Sequence, residues 1–338
     1  MRDSMEDVII VGGGPAGLYS AFYCGLREMS VKVIEGQHFL GGKLNVYKDK
    51  NVWDVGGVAP QPAKEIIKTL VEQANTFNPT FVLGKSVVDV SKEEVGFSVQ
   101  TNDGEKHYAK TIILGTGTGI SLPKKLDFVY PNQFETTNLY YDIPSVEAFK
   151  GKKVVISGGN SKSFQWAKKL AEVAEKVYFI YRKDLVKGSE KDIDSLMANE
   201  RITCLFDQKI TNLMTQDNQR IHSVEITHFI EESKDYLEVD AVFISHGVNK
   251  NNPLIHENSV FDLEKNLHFK IDEKGETSME GVFAAGDSAF YDCKLRMIAE
   301  SFHDAIVASN AAKRKIDPKA PERGKVSSHH KDLRNREI

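Results

Sequence analysis

The apolar run Val8-Ile9-Ile10-Val11 stops at Gly12-Gly13-Gly14-Pro15-Ala16-Gly17 and continues into a stretch of helical spacing, Leu18–Gly25. A short continuous apolar run bounded by glycines predicts a buried parallel strand. A second strand of this kind, Val31-Lys32-Val33-Ile34, ends in Glu35. Pro60–Asn75 puts Ile66, Ile67, Leu70, Val71 and Ala74 on one helical face, so it is expected to pack on the sheet. Three strand-like runs follow, Phe81–Val90, Gly96–Thr101 and His107–Leu114, the last two joined by Asn102-Asp103-Gly104. They predict a β-meander whose third member ends in Gly115-Thr116-Gly117.

Residues Thr118–Phe149 are mixed in polarity and carry Pro123, Pro131 and Pro144, the mark of a crossing between domains. The opening pattern then returns. Lys153-Val154-Val155-Ile156-Ser157 runs into Gly158-Gly159-Asn160-Ser161-Lys162-Ser163, followed by an expected helix, Phe164–Ala174, and strand, Val177–Ile180. Meander-like segments Ile202–Met214, Ser223–Ile230 and Tyr236–Val239 precede the apolar Ala241–Ile244 and Ser245-His246-Gly247. The last third adds a short strand within Gly281–Asp287 and a helix over Lys294–Ala312. Two copies of one plan predict an α/β chain of two Rossmann-like, three-layer ββα domains, each with a meander insertion and a nucleotide site. The expected boundaries are 1–118 with 248–312 for the first domain, 119–247 for the second and 313–338 for a C-terminal extension.

The chemistry sits at the strand ends. In the first turn Gly12 permits the tight bend, Gly14 lets a pyrophosphate approach the backbone, and Gly17 lets helix and strand pack closely. Pro15 and Ala16 open a helix whose unpaired N–H groups and positive dipole end suit phosphate. Glu35, roughly 20 residues past the glycines, is the expected acceptor of a ribose 2′-hydroxyl and repels a 2′-phosphate.

The second copy ends differently, in Tyr181-Arg182-Lys183 and then Lys187. Cations there suit a 2′-phosphate, so NADPH is expected over NADH. Its glycine motif departs from the pattern. Gly158 and Gly159 are present, but Asn160 stands where close approach favours glycine, and Ser163 replaces the small packing residue. Asn tolerates positive φ better than other non-glycine residues, so weakened rather than lost binding is expected.

Between the glycine turn and the first helix of the meander region lie Phe39-Leu40-Gly41-Gly42-Lys43-Leu44, Tyr47 and Trp53-Asp54-Val55-Gly56-Gly57-Val58. These segments suit a backbone folded over a flat ring system, and Tyr47 and Trp53 serve equally well as stacking or as core residues. Gly286-Asp287 presents a carboxylate and an amide at a sheet end, which suits the ribityl chain and pyrimidine edge of a flavin. The charged, Pro-containing stretch from Lys313 onward is expected to be a disordered tail, unless the paired His329-His330 docks on a ring.

At 338 residues, 41% hydrophobic and 27% charged, the chain has room for two cores. A net charge of −4 gives nucleic acid no electrostatic reason to bind. No apolar run approaches the ~20 residues of a membrane span, and the acidic N-terminus lacks a signal-peptide core, so a cytoplasmic protein is expected. Cys24, Cys204 and Cys293 have neither redox nor zinc spacing and are expected to be buried small hydrophobes.

Taken together, Gly12–Gly17, Gly41-Gly42-Lys43, Trp53-Asp54-Val55-Gly56-Gly57, Tyr181-Arg182-Lys183, Gly286-Asp287 and Ser327-Ser328-His329-His330 resemble the thioredoxin-reductase-like ferredoxin–NADP(+) reductases, and among them the iron-uptake oxidoreductases of staphylococcal type. The resemblance implies a homodimer of thioredoxin reductase fold with FAD in the first domain and NADPH in the second. It also implies that Gly42, Lys43, Val88, Gly117 and Asp287 join the FAD site, and that Tyr47 stacks on one flavin face while the tail, through His329 or His330, covers the other. The implied acceptors are ferredoxin or flavodoxin, or a ferric siderophore or haem-degrading partner. Thioredoxin reductases carry a redox CxxC just before the second glycine motif, whereas Asn138-Leu139-Tyr140-Tyr141-Asp142 holds no cysteine, so electrons are expected to leave the flavin directly. The alternative left by Asn160 and Ser163 is an FAD-binding module with an impaired NADPH site, acting as a redox sensor or reduced by a partner.

Overall fold

The computed structural model describes residues 5–183, 190–256, 259–265 and 267–334, and the chain divides into two units, Met1–Ile120 with Lys250–Ile338 and Ser121–Asn249. The first unit opens with β1 (Glu6–Val11), α1 (Pro15–Leu26) and β2 (Val31–Glu35), and β1 and β2 pair in parallel from Val8 beside Val31 to Val11 beside Ile34. Helix α2 (Ala63–Ala74) starts only after Pro62, and it buries Ala63, Ile66, Leu70 and Ala74 as its spacing requires.

The run expected as one strand over Phe81–Val90 is two. Gly84, at φ +73°, breaks it, and a Cβ there would lie 2.4 Å from the His38 ring. Before the break, β3 (Thr80–Leu83) extends the parallel sheet beside β2; after it, β4 (Val87–Lys92) begins the meander with β5 (Phe97–Thr101) and β6 (Lys106–Leu114).

The second unit repeats the design with β7 (Leu139–Tyr140), β8 (Lys153–Ser157), α3 (Ser161–Ala171), β9 (Lys176–Tyr181) and β10 (Ile202–Phe206). Its meander is β11 (Gln208–Met214), β12 (Ser223–His228) and β13 (Lys234–Glu238), and β14 (Ala241–Ile244) returns to the sheet. The parallel order is β7-β14-β8-β9-β10. Here too one expected segment, Ile202–Met214, divides, at Asp207 with φ +54°.

Back in the first unit, β15 (Val282–Ala284) pairs in parallel with the C-terminal half of β6, while the N-terminal half of that edge carries β5. Helix α4 (Ile298–Ile316) starts later than the expected Lys294 because Arg296 takes φ +61° and Glu300 accepts the Leu295 and Arg296 N–H groups at 2.7 Å each. Glu300, in the first turn, thus holds the backbone that leads into the helix.

Alternation in the central strands feeds two cores per unit. Val8 and Ile10 face α1, α2 and α4, whereas Ile9 and Val11 face Phe269 and the meander side. In the second unit Val154 and Ile156 meet Phe164 and Leu170, and Val155 meets Val224 and Val242. Each fully buried Val or Ile contributes about 1.5–3 kcal/mol, which is why strands with both faces covered read as unbroken apolar runs.

The tail is ordered through Arg334, where disorder was expected. Arg27, buried, donates to the carbonyls of Pro321 and Arg323 at 3.1 and 3.2 Å, and Lys325 pairs with Glu28. Cys24 is buried as expected and Cys204 partly so, but Cys293, also expected to be buried, is exposed at φ +65°. No helix among the described residues is long and apolar enough to cross a membrane.

Candidate functional site: two nucleotide turns

At the first turn the protein itself demands two of the glycines. A Cβ on Gly12, at φ +109°, would lie 2.3 Å from the Gly115 carbonyl oxygen, and one on Gly17 would lie 1.9 Å from that of Gly12. Gly14 is different. Its φ is −79°, and a Cβ would meet only the Gly42 Cα at 3.7 Å, an ordinary contact. The fold does not require glycine there, so the space left in front of the backbone fits an approaching phosphate. Helix α1 begins at Pro15 with no side chain capping it. Its first N–H groups therefore suit an anion.

Glu35 closes the end of β2. One carboxylate oxygen accepts the Gly13 N–H at 2.6 Å and the other the Gln37 N–H at 2.8 Å. Burial pushes its pKa up, and the N–H bonds from Gly13 and Gln37 oppose that shift. A carboxylate has about four acceptor positions, so each oxygen retains capacity for a ribose hydroxyl.

The second loop rests on the first. The Gly41 N–H donates to the Gly13 carbonyl at 2.8 Å, and a 3₁₀ turn, Gly42–Tyr47, follows. Lys43 Nζ lies 3.4 Å from Asp287, and the Gly286 Cα sits so close to the start of α1 that a Cβ would lie 2.7 Å from that of Ala16. Tyr47 is half-buried, with its pKa raised by burial and then by the charges of Asp54 and Asp287; Trp53 is 73% exposed. Gly117, beyond β6, has open space around it. Val88 is the extra residue of a bulge in β4, a few positions after Lys85, whose N–H donates to the Glu35 carbonyl.

The structure does not bring the two histidines to Tyr47 within one chain. His330 is buried with its ring 5.0 Å from that of Phe77, and Phe77 packs against Gly25 near the far end of α1. At 1.5 Å per helical residue, Gly25 lies about 15 Å from the start of the helix. His329 is exposed. The tail reaches this place because Tyr23, Arg27 and Glu28 hold it along the C-terminal half of α1.

A buried polar group behind Asp287 escaped the sequence reading. Asp304 accepts the Gly286 N–H at 2.9 Å and pairs with Lys294, both side chains being almost fully buried. Tyr291 donates to Asp304 at 3.0 Å, and burial, then the Asp304 charge, raises its pKa. His268 Nδ1 lies 2.9 Å from the Asp287 carbonyl, and Arg296 lies 2.8 Å from Nε2. Arginine only donates, so Nε2 accepts and Nδ1–H points at Asp287. No motif announces these residues.

The second turn demands Gly158, where a Cβ, at φ +152°, would lie 2.3 Å from the Ser245 carbonyl oxygen, whereas a Cβ on Gly159 would meet a side chain, the Tyr181 ring, at 2.0 Å. Contrary to the expectation from the sequence, Asn160 does not use positive φ: its φ is −110°. Its side chain accepts the Ser163 N–H at 3.0 Å while Ser163 Oγ accepts the Asn160 N–H at 3.0 Å, a reciprocal cap for α3 that begins at Ser161. Asn160 also donates to the Ser245 carbonyl at 2.7 Å. Arg182 and Lys183 are exposed just past β9, and Lys187 lies outside the described residues. Sequence reading also missed His246, whose Nε2 lies 2.8 Å from Ser157 Oγ.

The family model for pyridine nucleotide-disulphide oxidoreductases matches residues 6–312. A protein of Oceanobacillus iheyensis named ferredoxin–NADP reductase 1 is 44% identical over 335 residues, covering 98% of this chain and 95% of its own. A namesake in Bacillus mycoides is 42% identical, covering 100% of this chain and 98% of its own. The chain belongs to the ferredoxin–NADP reductase family.

Among solved structures, a thioredoxin reductase of T. acidophilum superposes with a TM-score of 0.66 at 23% identity, covering 93% of this chain and 99% of its own. The bacillithiol disulfide reductase Bdr of Staphylococcus aureus gives 0.65 at 16% identity, covering 95% and 100%. At these identities the likeness is one of fold, and it is the thioredoxin-reductase-like fold expected. FAD and NADPH, the cofactors expected for the two sites, are those of the ferredoxin–NADP reductase family, and the chain is an oxidoreductase of that type. In this family member the stretch Asn138–Asp142, devoid of cysteine, has structural work: Asn138 is buried and donates to the carbonyls of Ile221 and Asp240, and Tyr140 stacks on Phe243.

Proposed function

We propose that this chain takes electrons from NADPH at the second unit and passes them, through FAD at the first, to a one-electron acceptor, ferredoxin or flavodoxin, as a cytoplasmic homodimer. One observation carries the reading: two glycine turns on parallel sheets end in opposite charge, Glu35 beside the first and Arg182-Lys183 beside the second. The carboxylate accepts ribose hydroxyls and rejects a 2′-phosphate, whereas the cations attract one.

When bound, FAD supplies the conversion between a hydride pair and single electrons. The chain's residues supply position and field. The bare start of α1 and the space before Gly14 receive the pyrophosphate, Tyr47 offers a ring face, and Asp287 with Lys43 offers an acceptor and a donor for polar groups of the cofactor. His268 and Asp304 hold the Gly286-Asp287 turn from behind. The tail histidines keep no role on the flavin of their own chain in this reading.

The test is anaerobic reduction by NADPH followed by turnover with ferredoxin, flavodoxin and a ferric siderophore over a range of salt. A small acidic carrier gives rates that fall as salt rises. Fast, salt-sensitive turnover with ferredoxin or flavodoxin supports the proposal, whereas turnover with a ferric siderophore or a haem-degrading partner alone moves the acceptor to iron acquisition.

A second reading draws on the cap at Asn160 and Ser163, which occupies N–H groups that phosphate would use: an FAD module reduced by a partner or acting as a sensor. It predicts that NADPH leaves the flavin oxidised and that Asn160→Gly restores reduction.

A further inference from the structure

The self-capped start of α3 leaves the dinucleotide phosphates short of donors. The Asn160 N–H is taken by Ser163, and the Ser163 N–H by Asn160. The neighbouring strand ends show what replaces them. In the order β14-β8-β9 the three strands run parallel, so Ser245-His246, the glycine turn and Arg182 stand along one edge of the sheet. A dinucleotide bound across such an edge puts its adenosine ribose at the second strand and its pyrophosphate at the turn. Arg182 marks the adenosine side, so the nicotinamide half extends over β14. His246 follows that strand, exposed, at hydrogen-bond distance from Ser157, the residue just before Gly158.

Resting on the assignment of NADPH to this unit, we propose that His246 is a nucleotide-contacting residue that donates a hydrogen bond to the nicotinamide-side phosphate of the bound pyrophosphate. Its charge state is poised for this. In the free protein the ring's pKa is lowered, first by partial desolvation and then by the Arg182 charge, with Asp127 opposing. A phosphate anion beside the ring favours imidazolium, and a 2′-phosphate paired with Arg182 offsets the opposing charge. Binding therefore takes up a proton at His246, and NADP+ affinity rises as pH falls from neutral.

The test titrates the full-length FAD-loaded protein with NADP+ and with adenosine 2′,5′-bisphosphate, which carries the 2′-phosphate but lacks the nicotinamide-side phosphate. Calorimetry near neutral pH in buffers of different ionisation enthalpy reads affinity and proton uptake together. His246→Gln is expected to weaken NADP+ about tenfold, the scale of one charge-assisted hydrogen bond, to abolish proton uptake, and to change the bisphosphate by less than about twofold. His246→Arg is expected to restore NADP+ affinity without proton uptake. Ser157→Ala, which removes the ring's protein partner, is expected to keep NADP+ within about threefold of wild type. Equal weakening of both ligands by His246→Gln would overturn the proposal, as would no weakening, or a Ser157→Ala effect as large as that of His246→Gln. A wild-type protein that binds neither ligand would instead overturn the NADPH assignment, and this inference with it.

Discussion

The two nucleotide turns share a backbone plan and differ in how each helix start is satisfied. At α1 no side chain caps the helix, Pro15 fills its first position, and the Gly14 position is left open. At α3, Asn160 and Ser163 cap each other and the turn is tied to Ser245. Orphan N–H groups cost stability until an anion takes them. On the proposed assignment the first turn therefore favours a ligand that stays, and the second, where side chains already satisfy the Asn160 and Ser163 N–H groups, suits a nucleotide released each cycle. Under that proposal, one cap distinguishes the site of a resident cofactor from that of an exchanging substrate.

The largest break in this comparison is at Gly17. Its added Cβ would strike the Gly12 backbone, which has no room to yield, so Gly17→Ala is expected to cost about 3 kcal/mol or more and to yield apoprotein, read by thermal melting and FAD content. Gly159→Ala meets only the Tyr181 ring, a side chain that moves aside, so the protein is expected to fold, retain FAD and lose NADPH affinity.

Next in size is the double variant Arg182→Ala, Lys183→Ala. It is expected to weaken NADPH about a hundredfold while leaving NADH within a few-fold, compared by the concentration needed to reduce the flavin. A smaller effect belongs to the cap itself: Asn160→Ala is expected to lower stability by about 1 kcal/mol, and Asn160→Gly by a few tenths with a gain in NADPH affinity. The smallest concerns pH. His246 has a folded pKa below its ordinary value, so the unfolded chain takes its proton first and stability falls as pH drops below about 6.5. His246→Gln is expected to flatten that part of the melting-temperature profile.

The repeated plan was legible because strands buried on both faces leave unbroken apolar runs and glycine turns leave clusters. What escaped was set by single residues. Gly84 and Asp207 each divide an apolar run at the same place in the two units, sending one half to the parallel sheet and the other to the meander. Apolar residues lie on both sides of each break, so the two halves read as one strand-like run. Glu300 delays the start of α4 through bonds to backbone behind it, and Arg27 orders a tail of disorder-prone composition through bonds to residues nearly 300 positions away. At the candidate sites the glycines, Glu35, Tyr47 and Asp287 stood out by motif or resemblance. His268, Arg296, Asp304 and His246 act through tertiary neighbours and carry no local signal.

The central claim, a retained cofactor at the bare turn and an exchanging one at the capped turn, meets its most direct test in one titration. The purified FAD-loaded protein is passed through repeated buffer exchange and then titrated anaerobically with NADPH and, separately, NADH, following oxidised-flavin absorbance. The account predicts that FAD stays bound through the exchange, that added NADP+ washes out, and that NADPH removes the absorbance at concentrations far below those of NADH. A flavin that leaves as readily as NADP+, or one that NADPH does not reduce, would contradict it.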